Sequence, residues 1–147
     1  MKSVHLLTLI AILASTPVYA RIGETYGEIT KRYGRGEKQG TGRMHTTKGY
    51  YFIKNGFGVE VMILNGKSVM EVFHRTEGPQ ISDAEIQDLL KINGENLTWA
   101  FENNQWMRSD HKISAFRQPG HDDFFFIQDV AATKQTPKDG KAKLDGF

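Results

Sequence analysis

Cysteine is absent from the 147-residue sequence. An exported chain of this composition has no disulfide, no thiolate metal ligand, no thiol nucleophile and no cysteine to carry a lipid anchor, so its stability rests on packing. An excess of one charge is absent too: 19 basic residues stand against 17 acidic ones, which gives no bulk attraction to nucleic acid. Long apolar runs are missing as well. The longest, Leu6 to Ala14, is well short of the roughly 20 residues needed to cross a bilayer, so no transmembrane helix is expected once the leader described below is removed.

Several motifs that announce chemistry are also missing. His45, His74, His111 and His121 form no H-E-x-x-H or other spaced pair of zinc ligands. The run His121-Asp122-Asp123 reads as a solvated loop that guards the Phe124 to Ile127 run against aggregation. The serines at 68, 82, 109 and 114 occupy no G-x-S-x-G elbow. Gly34-x-Gly36 follows a helix instead of joining a strand to one, so it matches neither a dinucleotide fingerprint nor a P-loop. No catalytic residue, metal ligand or cofactor is assigned on this basis.

What is present begins with a leader. Lys2, the apolar run to Ala14 and the ending Pro17-Val18-Tyr19-Ala20 have the anatomy of a signal peptide cleaved after Ala20. The expected organisation is a signal peptide over 1–20, one domain over 21–130 and a polar, loosely ordered tail over 131–147, in which Leu144 and Phe147 are the apolar exceptions. The expected location is the periplasm or the exterior.

The domain is organised around Gly49 to Arg75, where Asn55-Gly56 and Asn65-Gly66 each separate β-rich runs as two-residue type I′ turns do. With both loops two residues long, Lys54 faces Phe57, Phe52 faces Val59 and Tyr50 faces Val61. Across the second turn Val61 faces Met70 and Val59 faces Val72. One sheet face then collects Tyr50, Phe52, Phe57, Val59, Val61, Ile63, Met70 and Val72, the expected core. The other collects Tyr51, Ile53, Gly58, Glu60, Met62, Leu64, Val69, Glu71 and Phe73, a mixed surface.

Two helices share one N-terminal grammar. Thr25 with Glu28 and Ser82 with Glu85 are capping boxes, and Ile81 with Ile86 is a hydrophobic staple. The first helix presents Tyr26, Ile29 and Tyr33 and closes at Gly34; the second presents Ile86, Leu89 and Leu90 and ends at Asn93-Gly94. Strands at Leu97 to Glu102 and Gln105 to Ser109 follow around Asn103-Asn104, with Phe101 opposite Trp106 and Trp99 opposite Arg108, an aromatic group read as core. Strands at Lys112 to Arg117 and Phe124 to Gln128 complete the sheet. The fold class is α+β: short helices on a mainly antiparallel sheet, with the helix-then-strands module occurring twice.

Two places invite functional thought. In the expected register Glu60 and Glu71 lie directly opposite each other on the mixed face, where like charges repel. Either a basic residue sits between them, or one carboxyl is held protonated as in coupled acid pairs, or the register differs. The link from Lys31 to Arg43 is the one local basic patch, with Arg35, Lys38 and Arg43 as candidate anion-binding residues and a solvated helix-to-sheet connection as the plain reading.

The pattern Ile22-Gly23-x-Thr25-x-x-Glu28-Ile29 followed by Tyr33-Gly34 resembles the opening helix of outer-membrane assembly lipoproteins of the SmpA/OmlA type. That resemblance implies a fold of short helices on an antiparallel sheet, as in the β-lactamase inhibitor proteins. Arg35 stands where those lipoproteins carry proline. The mature chain also resembles a group of uncharacterised small secreted bacterial proteins in its Ile-Gly-Glu-Thr start, Arg32-Tyr33-Gly34, Asn65-Gly66-Lys67, Trp106 before Asp110, and the closing Leu144 to Phe147. The resemblance implies export and fold, and no activity. Two functional classes stand open: a noncatalytic exported module that binds an envelope or extracellular protein, the favoured reading, and a small secreted hydrolase that uses the acidic pair.

Overall fold

The computed structural model describes residues 21–41, 47–78 and 80–134. The leader, the tail from 135 onward and the candidate Arg43 lie outside the described residues. Eleven elements follow one another: α1 (Tyr26–Tyr33), β1 (Glu37–Thr41), β2 (Lys48–Lys54), β3 (Phe57–Leu64), β4 (Lys67–Arg75), α2 (Asp83–Gly94), β5 (Trp99–Glu102), β6 (Gln105–Arg108), β7 (Ile113–Gln118), β8 (His121–Asp129) and α3 (Val130–Lys134). The strands form one antiparallel sheet in the order β1-β2-β3-β4-β8-β7-β6-β5. A helix followed by four strands therefore occurs twice, and the two halves join where β4 pairs β8 from Met70↔Gln128 to Phe73↔Phe125.

Both helices start as their sequences dictate. The Thr25 and Ser82 side chains accept from the N–H groups of Glu28 and Glu85, and each glutamate reaches back to the cap N–H. Each cap contributes about 1 kcal/mol. At eight residues α1 is too short to stand alone, so it is held by packing: Tyr26 lies 4.4 Å from the Tyr50 ring and Tyr33 5.3 Å from Phe52. From α2, Ile86, Leu89 and Leu90 enter the same core, which joins Phe52, Val59, Val61, Phe73, Phe125 and Ile127.

The turns also form as read. Asn55 and Gly56 have φ of 52° and 77°, Asn65 and Gly66 of 51° and 81°, the positive values that a type I′ turn requires of both central residues. The first hairpin has the expected register, with Tyr50↔Val61, Phe52↔Val59 and Lys54↔Phe57. The second does not. Leu64 pairs Lys67 and Ile63 pairs Ser68, but Met62 then pairs Met70, leaving Val69 as an extra residue in β4. Beyond that bulge Val61 faces Glu71 and Val59 faces Phe73, in place of Met70 and Val72. Because side chains alternate with period two, one added residue exchanges the faces of everything after it. Phe73 becomes fully buried core, while Met70 and Val72 join Met62, Val69, Phe126 and Ala132 on the opposite face.

Three further elements depart from the sequence reading. Residues 37–41, expected within a basic connection, pair with β2 as an edge strand. Residues 131–134, expected to open the tail, continue α3, whose N–H groups at Ala131 and Ala132 donate to Asp129 Oδ1. His121-Asp122-Asp123, expected as a loop, starts β8 and is exposed.

Candidate functional site

The bulge dissolves the acidic pair. Glu60 faces Tyr51 on one side and Val72 on the other, whereas Glu71 faces Val61 and Ile127. The two carboxyls lie on opposite faces of the sheet, so the repulsion inferred from the uninterrupted register does not arise. A hydrolase built on this pair loses its residues. Among the described residues no group of three or more His, Asp or Glu side chains is arranged to hold a metal ion.

Glu71 has a different chemistry. Its side chain is fully buried and neither carboxyl oxygen has a hydrogen-bond partner. Burial, reinforced by the nearby Glu24 and opposed by Arg32, pushes its pKa up to about 8, so the carboxyl is neutral at pH 7. A carboxylate at that place would meet apolar strand neighbours instead of water.

The chain from Arg21 to Glu24, whose Glu24 acts electrostatically on Glu71, is fastened to the sheet. Gly23 N–H donates to Ser68 O and Ser68 N–H to Glu24 O, both at 2.8 Å. The Ser68 hydroxyl donates to Arg21 O at 2.9 Å and accepts from Glu24 N–H at 3.2 Å. Ile22 N–H reaches Asn93 Oδ1 of α2 at 3.4 Å, and the Glu24 carboxylate holds the Arg32 guanidinium of α1 at 2.7 Å. Four of these bonds are made by Ser68, the residue just before the bulged Val69.

Of the basic candidates, only Arg35 and Lys38 fall within the described residues. Arg35 and Lys38 are exposed, one beside α1 and the other on edge strand β1. On the opposite face Tyr51 stacks on His74 at 5.8 Å with a 3.2 Å contact between Tyr51 Oη and His74 Nε2. His74 also lines a shallow cleft of about 320 Å³ with Arg75, Gln80, Asp123 and Phe124, and neither Glu60 nor Glu71 takes part. Arg75 spends its guanidinium on Glu85 and on the Phe57 ring, 4.5 Å away.

The far end of the sheet carries a second feature. Among the described residues β5 ends the strand order and pairs only β6, with Trp99↔Arg108 and Phe101↔Trp106 as the sequence indicates. Arg108 holds Asp110 at 2.8 Å and Asn93 O at 2.9 Å, and its hydrogen bond keeps the Asp110 carboxyl below the usual range. Trp99 Nε1–H donates to Leu90 O at 2.8 Å. These bonds fix the end of α2 against the hairpin and leave a groove of about 360 Å³ between them, lined by Leu90, Lys91, Trp99, Phe101 and Trp106 among others. The expectation that this aromatic group is core holds for Trp106, whose ring meets Phe125 edge-on at 5.7 Å. It fails for Phe101, which is 59% exposed. Among the described residues no strand lies beyond β5 to cover a second aromatic. No protein-family model, curated protein or solved structure matches the chain.

Proposed function

We propose that the chain is a noncatalytic exported module, periplasmic or secreted, that binds an extended segment of an envelope or extracellular protein as an added strand beside β5. The observation that carries this reading is Phe101, a large aromatic left 59% exposed on an open sheet edge and over a groove. An end strand offers a row of unpaired N–H and C=O groups to an incoming backbone. The neighbouring groove receives one of its apolar side chains. Backbone pairing supplies affinity and the pocket supplies selection, the usual division in strand addition.

A photo-cross-linking residue at exposed Ala100, set against one at exposed Lys38 on the other edge, tests this in the exporting cell. Adducts are expected at position 100, absent at 38, and reduced at least about tenfold by Phe101→Asp, as for loss of a central aromatic anchor. The same substitution should cost only about 1 kcal/mol of stability, because the exposed ring loses little beyond its 4.7 Å contact with Trp106. Equal adducts at both edges, or adducts that survive Phe101→Asp, would remove the reading.

A further inference from the structure

We propose that Glu71 is the proton-controlled latch of the Arg21–Glu24 segment: neutral Glu71 leaves Arg32 paired with Glu24, and ionised Glu71 draws Arg32 away and loosens the segment from Ser68 and Asn93. The geometry supplies each part. Glu71 is wholly buried, with both oxygens unpartnered. Its strand neighbours are Val61 on β3 and Ile127 on β8, neither of which can stabilise a negative charge. The charged groups that face it are Glu24 from the segment and Arg32 from α1; α2 contributes the neutral Asn93 through Ile22. Arg21, on the same segment, instead lines a cleft of about 510 Å³ with Asp88, Lys91 and Glu95.

One guanidinium therefore stands near two carboxyls. While Glu71 carries its proton, Arg32 has one carboxylate to satisfy, and the 2.7 Å contact with Glu24 forms. Removing the proton places a charge in an apolar surround that must find a cation or water. Arg32 is the cation within range, and taking it strips Glu24 of its partner while adding repulsion between Glu24 and Glu71. The least costly relief is local: the segment lifts and admits water. Its attachments are a few hydrogen bonds, individually weak beside the packing of the sheet. With a folded-state pKa raised to about 8, the change is centred on mildly alkaline pH.

Amide hydrogen exchange on the full chain tests the latch, read as protection factors so that the intrinsic pH dependence cancels. Between pH 6.5 and 9 the Gly23 and Ser68 amides, whose bonds fasten the segment, should lose at least tenfold in protection. The Ile29 amide, bonded within α1 to Thr25 O, should not. In Glu71→Gln, or in Glu71→Leu should the first variant fail to fold, the Gly23 and Ser68 amides should stay protected throughout. Arg32→Gln should leave them weakly protected at both pH values. Flat protection in the wild type, an equal loss in the Glu71 variants, or a uniform loss across the sheet would overturn the proposal.

Discussion

Glu71→Gln is expected to stabilise the protein at pH 7 by about 2–3 kcal/mol, and by far less at pH 4.5. The sign follows from proton linkage. In the unfolded chain this carboxyl titrates at its ordinary value of 4.5, and in the fold at about 8. Between those values the unfolded state gives up a proton that the native state keeps, so stability falls as pH rises. Stability from protonated Glu71 is thus fully present below the unfolded pKa and is lost as pH climbs to the folded one. Each unit is worth about 1.4 kcal/mol, and pH 7 lies about 2.5 units above the unfolded value, which sets an upper bound near 3.4 kcal/mol. Glutamine has nearly the same shape and polarity but never ionises, so the burial cost cancels and the pH-dependent part disappears.

Other groups act in the opposite direction. Asp110, held low by Arg108, and Glu28, held low by its bonds to Thr25, favour the fold above their unfolded values and lose that contribution in acid. Wild-type stability is therefore a sum of rising and falling parts, and the difference between wild type and Glu71→Gln isolates one residue. Urea unfolding at pH 4.5, 6, 7 and 8 should give two curves that meet in acid and separate steadily toward pH 8. Parallel curves would show that Glu71 ionises normally.

Phe73→Ala is expected to cost about 3–5 kcal/mol, the penalty for a cavity under a buried aromatic. Ile53→Ala should cost no more than about 0.5 kcal/mol, as at an ordinary surface position. Without the bulge these residues would share the mixed face; with it Phe73 is 0% exposed in the core and Ile53 is 64% exposed. Since a domain of this kind has only about 5–15 kcal/mol in total, the first variant should unfold at a much lower urea concentration and the second should be indistinguishable from wild type. Similar midpoints for the two would return Phe73 to the outer face.

The pair of variants also shows where reading from residues stops. The turns were legible because Asn-Gly has few other uses between apolar runs, and the first hairpin followed at once. The second hairpin was ambiguous in its own sequence: Val69, Met70, Val72 and Phe73 are apolar in both parities, so alternation fits either register. Glu71 alone distinguishes them, and a charged residue is ordinarily assigned to the outside. The bulge is accompanied by contacts remote in sequence, Ser68 to Arg21, Gly23 and Glu24, which no local pattern contains.

Strand β1 escaped notice for a different reason. Glu37 to Thr41 has no β-branched or aromatic run, and among the described residues it pairs with β2 alone. Phe101 was legible as half of a cross-strand pair with Trp106 and not as exposed, because exposure depends on β5 ending the sheet. For Phe101 local chemistry gave the pairing and the order of strands decided what was covered; for β1 local chemistry gave neither.

The most direct measurement follows the side-chain carboxyl carbon of Glu71 through a pH titration of the intact protein by NMR, assigned by its loss in Glu71→Gln. A bulge that turns this residue into the core predicts one carboxyl that stays protonated through neutral pH and titrates near 8. A Glu71 carboxyl that titrates near its ordinary value of 4.5 would mean that it faces water, and the inward register of β4, the neutral acid and the latch would all be contradicted together.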